Sequence, residues 1–285
     1  MEAERSVTRL SMLREFANYP SLWGKLLRYR KVLAPAKIPF GDHPAQYVLH
    51  FSPDAPAPDK VVVYLHGGGW NSGHPSMFHF IGQAFVQAGY HCLMPGYRLA
   101  PGHRFPAQIE DVCAGYTAGL ARLEALGVDA RRTVVVGSSA GAHLGALLCY
   151  DADMQARFSI DPDRICGFAG LGSPCCFQIR LNVYLRLMLR NLFGQKDFSS
   201  GDPYARLTAG QTLPMLLIHG RGDSVVDYAS AEAFCARAAM LGIPAQLYTV
   251  PPPADTHSVY SAGIFLNRRE DDPTLDALMT WIEGL

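Results

Sequence analysis

From Lys60 onward the chain alternates short, unbroken apolar runs with segments whose apolar residues recur at helical spacing. The runs are Val61-Val62-Val63-Tyr64-Leu65 and residues 91–94, 133–136, 165–171, 215–218 and 246–250. A strand with one wet face alternates apolar and polar residues, so an unbroken run marks a strand covered on both faces. Between the runs, helices are predicted at 78–88, 107–126, 140–150, 229–241 and 273–283; Gly89, Gly127 and Gly242 stop three of them, and Pro273 opens the last. Strand-helix alternation of this length requires an α/β fold: a mainly parallel sheet with helices on both faces, in one domain spanning 1–285. With 49% hydrophobic and 18% charged residues, the chain can fill such a core.

Two stretches break the rhythm. Residues 11–30 carry apolar side chains at helical spacing (Leu13, Phe16, Leu22, Trp23, Leu26, Leu27) and are interrupted at Pro20, which predicts two short helices within an N-terminal segment, 1–35. A further strand is expected at 46–51, among many prolines. The insertion 175–213 contains a strongly apolar helix candidate at 179–193. Open α/β sheets bind ligands beyond the carboxyl ends of their strands, so 1–35 and 175–213 are expected to form a small cap there. An ordinary core helix accounts for 179–193 equally well.

Gly137-Ser138-Ser139-Ala140-Gly141 fits G-x-S-x-G and lies where a predicted strand passes into a predicted helix. A turn that tight needs small neighbours and lifts the central side chain, Ser139, above the sheet as a candidate nucleophile. His66-Gly67-Gly68-Gly69-Trp70 follows the strand at 61–65. Three consecutive glycines cost chain entropy and make sense where backbone must approach a ligand. The N–H groups of Gly68, Gly69 and Ala140 are therefore the candidate oxyanion hole. A phosphate cradle is the rival reading of the glycines, but no Gly-Lys-Ser/Thr follows them.

Together with Tyr97-Arg98-Leu99-Ala100-Pro101, Phe105-Pro106-Ala107 and Asp111, these motifs resemble the hormone-sensitive-lipase-like branch of the α/β-hydrolases over about Val61 to Trp281. The resemblance implies an α/β-hydrolase fold with a mostly parallel eight-stranded sheet, no cofactor, and hydrolysis of short- to medium-chain esters. This chain has Gly102 where the family often has Glu, and Ser138 where it usually has Asp.

In that fold the chain order is nucleophile, acid, base. Past Ser139, His143 lies one turn into a helix and His219 ends a strand, which leaves His257, after the strand at 246–250, as the base. Asp223, just beyond the strand at 215–218, is the candidate acid, with Asp227 and Asp255 as alternates. His66 is read as a structural support of its loop, and Arg98 with Asp111 as an ion pair bracing the site from below. The function expected is a serine carboxylesterase acting on a small-molecule ester. The alternatives are an amidase or arylformamidase of the same fold and, less favoured, a non-catalytic small-molecule receptor.

The 25 Lys+Arg balance 25 Asp+Glu, which argues against a nucleic-acid partner. No H-E-x-x-H or paired C-x-x-C occurs, so no metal site is expected. Seven scattered cysteines, no apolar run at Met1-Glu2-Ala3-Glu4-Arg5 and no bilayer-length apolar stretch point to a cytoplasmic protein without membrane insertion. The sequence leaves homo-oligomerisation open.

Overall fold

The computed structural model describes all residues except 1–14, 16, 19, 23, 30, 32 and 55–59. Its centre is one eight-stranded sheet in the order β1-β2-β4-β3-β5-β6-β7-β8. The strands are β1 (Ala36–Pro39), β2 (Tyr47–Phe51), β3 (Val61–Leu65), β4 (His91–Pro95), β5 (Thr133–Ser138), β6 (Ile165–Leu171), β7 (Met215–Gly220) and β8 (Ala245–Val250). From β4 to β8 every pairing is parallel, while β1 and β2 run antiparallel at one edge. The expected α/β-hydrolase architecture is what the chain adopts.

Successive residues of β3 show why its run is unbroken. Val61, Val63 and Leu65 join the core on one face of the sheet, and Val62 and Tyr64 join the core on the other. The first face is covered by α2 (Ala107–Ala125), α3 (Ala140–Tyr150) and α6 (Tyr228–Met240), through side chains such as Ile109, Leu144 and Phe234. The second is covered by α1 (His79–Gln87) and α8 (Pro273–Glu283), through Ile81, Phe85, Leu278 and Ile282. Each fully buried side chain of this kind contributes about 1.5–3 kcal/mol, so the two faces together carry the fold.

Strand β1, a short helix after α3 and another at His257–Ser261 escaped the sequence reading. β1 has four residues, follows Pro35, ends on Pro39 and pairs only with β2, so it carries almost no apolar pattern. The short α4 (Ala152–Arg157) follows α3 after a break at Asp151, whose carboxylate accepts from the N–H groups of Asp153 and Met154. The insertion helix α5 spans Val183–Phe193, four residues shorter at its start than 179–193, because the Asn182 side chain caps it by accepting from Leu185 N. In the N-terminal segment, residues 15, 17–18, 20–22 and 24–28 are helical; Leu13, Phe16 and Trp23 lie outside the described residues, and Pro20 itself is helical. No described helix is long and apolar enough to cross a membrane.

Candidate active site

Adjacent parallel strands β3 and β5 run in register until Leu65 pairs with Gly137; β3 ends there and β5 one residue later, at Ser138. Ser139 makes the turn from β5 into α3 with φ 53° and ψ −120°, a region that costs a non-glycine residue roughly 1–3 kcal/mol. The turn is pinned by Ser139 N donating to Leu171 O at 2.7 Å and by Ala142 N donating to Ser139 O at 2.9 Å. The backbone beneath leaves no space: a Cβ at Gly141 would stand 2.0 Å from the Leu65 carbonyl oxygen. These contacts explain why small residues surround the serine.

The glycine loop is pressed against this turn, with Ser139 Cβ only 3.2 Å from where a Gly67 Cβ would be. Gly68 and Gly69 take φ +123° and +55°, and the Gly68 carbonyl accepts from Asn71 N, Ser72 N and Ser72 Oγ. With that carbonyl engaged, the loop is rigid where it borders the cavity. Ala140 heads α3, so its N–H has no acceptor within the helix. His66 anchors the loop from below: its Nδ1–H donates to Gly67 O at 2.7 Å, and its ring lies between Tyr97 and Phe78. Burial lowers His66 to about 4, so it is neutral near pH 7.

His257 opens the short helix α7 (His257–Ser261), which follows β8. Its Nδ1 donates to Asp223 Oδ2 at 2.7 Å, which leaves Nε2 with a lone pair. Asp223 lies just past β7 and is held by several donors. Val225 N and Val226 N reach Oδ1 at 2.8 and 2.9 Å, while the Tyr260 hydroxyl donates to Oδ2. Burial alone would push the Asp223 carboxyl up, but the charge of His257 and hydrogen bonds from His219 and His257 outweigh it and hold the group well below the usual carboxylate range. For His257 burial works downward, and the Asp223 charge and hydrogen bond overcome it, so the imidazole is raised above its ordinary value.

The other candidates are occupied elsewhere. His143 accepts from Trp70 Nε1 at 3.2 Å and donates from Nε2 to Gly201 O at 2.8 Å, so both ring nitrogens are committed. His219 donates to Val226 O and lies 3.4 Å from Asp223, behind the acid. Asp227 accepts from Asn182 N and precedes α6, and Asp255 is buried beside Gly220 and Gly222. Ser138, the other serine of the motif, accepts from the Tyr64 hydroxyl at 2.9 Å and donates to Ser261 O. It thereby ties the Ser139 turn to the helix that begins with His257. Arg98 forms the expected ion pair with Asp111, through Nε and Nη2 at 2.8 and 2.9 Å.

Ser139, His257 and Gly67 to Gly69 all open into one cavity of about 440 Å³. Among the described residues no Asp, Glu, Lys or Arg lines it; Leu22, Leu26, Trp70, Met188 and Leu266 do. Leu22 and Leu26 come from the N-terminal helical segment and Met188 from α5, so both expected cap elements border the cavity. α5 also buries Leu185, Leu189, Leu192 and Phe193, so it is a core helix and a cavity wall together. Three contributors were invisible in the sequence. Tyr260 lies one helical turn past His257, a signal readable only once α7 is known to be helical. Glu15 and Asn18 bind the segment from across the chain: Glu15 Oε1 accepts from Ser258 N at 2.8 Å, and Asn18 Nδ2 donates to Thr256 Oγ1 at 2.7 Å.

Comparisons with known proteins point to the same fold. Residues 62–168 match a family described as alpha/beta hydrolase fold. The chain is 28% identical over 232 residues to esterase LipC of Mycobacterium tuberculosis, an alignment covering 74% of this chain and 56% of that protein. It is 38% identical over 103 residues to an ethyl acetate hydrolase of Pseudomonas putida, covering 35% and 31% of the two chains. The chain thus spans about half, or less, of the length of these curated relatives. In three dimensions it resembles esterase B from Lactobacillus rhamnosis with a TM-score of 0.74 at 18% identity, covering 100% of this chain and 95% of that one.

Proposed function

We propose that this chain belongs to the hormone-sensitive-lipase-like branch of the α/β-hydrolases and is a serine carboxylesterase of small, uncharged esters, a reading supported by its α/β-hydrolase match and its esterase relatives. One observation carries the proposal. A serine held at φ 53° on a strand-helix turn, and a histidine backed by a buried carboxylate at 2.7 Å, open into the same uncharged cavity.

In this reading Ser139 Oγ attacks the ester carbonyl carbon while His257 Nε2 takes its proton. Asp223 keeps the Nδ1–H tautomer and stabilises the imidazolium that forms. The carbonyl oxygen, now negative, accepts from the N–H groups of Gly68, Gly69 and Ala140, each donor being worth roughly 3–4 kcal/mol. Collapse breaks the bond to the alcohol oxygen, which leaves with the proton from His257, and Ser139 carries the acyl group. Water then attacks that ester, His257 again takes the proton, and the acid departs with Ser139 restored.

The cavity wall argues for the substrate class. A site lined by no Asp, Glu, Lys or Arg among the described residues offers an ionised substrate no partner there, and burying an unpaired charge is costly. Neutral esters of short to medium acyl chain fit a cavity of about 440 Å³ between two small cap elements. Hydrolysis of p-nitrophenyl esters from acetate to palmitate tests the proposal, with Ser139→Ala as control. Activity highest on the short members, and lower by at least about 10⁴-fold in the variant, is the expected result. Wild-type rates in Ser139→Ala would refute it, and a maximum on palmitate would refute the acyl preference. Matched N-formyl anilides in the same panel decide between ester and amide.

A further inference from the structure

Seven large apolar side chains are exposed among the described residues, and five of them belong to segments that border the cavity. Met77 and Tyr184 line it directly, Leu27 follows Leu26, and Val183 and Leu187 share α5 with Met188. Leu27 is 82%, Val183 64% and Leu187 51% exposed. On α5, Val183 and Leu187 are one turn apart, and Arg186 and Arg190 flank them on the exposed side.

The charge around this rim is predominantly basic in a chain that is neutral overall. No Asp or Glu occurs from Phe16 to Gly41, a stretch that includes Lys25, Arg28 and Lys31, or from Gly172 to Lys196, a stretch that includes Arg180, Arg186, Arg190 and Lys196. Of the acids in or beside the insertion, Asp197 is exposed, whereas Asp202 and Asp227 are turned inward. Asp202 accepts from Phe177 N and Gln178 Nε2, and Asp227 accepts from Asn182 N. A second copy of this chain would set one cationic rim against another, so charge disfavours it as the occupant.

We propose that this rim docks on an anionic lipid surface, cavity mouth first, so that neutral esters dissolved in the lipid pass directly into the cavity. Exposed apolar residues interleaved with Lys and Arg on a short amphipathic helix lie in the headgroup layer rather than crossing the bilayer. Each basic residue near an anionic surface strengthens the attraction, and salt screens it. The role given to the cavity rests on the esterase reading; the docking itself does not.

Co-sedimentation with vesicles of phosphatidylcholine, alone or with phosphatidylglycerol, tests it. The full chain is expected to pellet with the anionic vesicles, to stay in solution with the neutral ones, and to be released by high salt. Arg186→Gln with Arg190→Gln should weaken partitioning roughly thirtyfold. Val183→Ser with Leu187→Ser should also weaken it, while hydrolysis of dissolved p-nitrophenyl acetate is unchanged in both double variants. Equal binding to both vesicle types, no binding to either, or unchanged binding by the variants overturns the proposal, as does a dimer that Val183→Ser with Leu187→Ser dissociates. Ser139→Ala should bind vesicles like the native chain, so failure of the esterase reading leaves a separate signature: intact docking without hydrolysis.

Discussion

Ser139 and His257 face the same cavity but are held in different ways. Around Ser139 the constraint is backbone: paired strands β3 and β5, a carbonyl at Leu171, and a turn in which Leu65 O leaves no room for a methyl group at Gly141. Around His257 it is side chains drawn from distant parts of the chain: Asp223 after β7, Tyr260 on α7, and Glu15 and Asn18 from the N-terminal segment. Backbone geometry of the first kind is nearly all-or-none, because packed interiors yield little. A side-chain network of the second kind can be weakened by degrees. The two halves meet at Ser138, whose hydroxyl reaches from the Ser139 turn to Ser261 O.

The largest expected effect removes the charge on which the second half is centred. Asp223→Asn leaves the fold intact but lets His257 take the wrong tautomer, and kcat/KM should fall about 10⁴-fold. Ester hydrolysis alongside circular dichroism checks this; a loss under tenfold would mean that Asp223 is not the acid. Next is a purely steric change in the first half. Gly141→Ala forces a Cβ against the carbonyls of Leu65 and His66, and overpacking against backbone costs about 3 kcal/mol or more. The midpoint of thermal unfolding should drop by about 6 °C or more and hydrolysis should be lost. A native-like melting curve would show that the turn is softer than the contacts imply.

This difference also sets what the sequence could reveal. The Ser139 half is local: a strand, a glycine-rich turn and a helix within a few residues, each with its own residue pattern, so Gly68, Gly69, Ser139 and Ala140 could be named directly. The resemblance and the chain order led to Asp223 and His257, and the structure brings them to 2.7 Å. The sequence could not show that His257 starts a helix, since His257–Ser261 is too short for periodicity. Nor could it show Glu15 against Ser258, a contact across 243 residues that no local pattern encodes. β1 stayed hidden for a related reason, being a short, exposed edge strand that ends on a proline.

A smaller effect should follow from Tyr260→Phe. The phenol gives Asp223 Oδ2 one of its donors, and its own ionisation is pushed far up by burial and by that carboxylate. Losing one donor to a buried carboxylate leaves Val225 N, Val226 N and His257 in place, so kcat/KM should fall about threefold to tenfold. A thousandfold loss would mean that the network behaves as a unit, like the Ser139 turn, and the contrast between the halves would fail.

The finest test is Glu15→Gln. Glutamine keeps an acceptor oxygen for Ser258 N but removes a negative charge that, with Asp223, raises His257. Hydrolysis needs neutral His257, so kcat/KM rises with pH through the raised value. In Glu15→Gln that midpoint should move to lower pH by a few tenths, with the plateau rate within about threefold. Stability runs the opposite way. A raised histidine contributes stability fully below its unfolded value near 6.5 and loses that contribution as pH climbs through the folded value. Glu15→Gln should therefore be less stable relative to the native chain at about pH 6 than at about pH 9, read by urea unfolding at both. Glu15→Leu removes the acceptor as well, so a lower plateau in that variant alone would separate holding the segment in place from setting its charge. An unmoved midpoint in Glu15→Gln would leave the N-terminal segment as a cavity wall with no influence on His257.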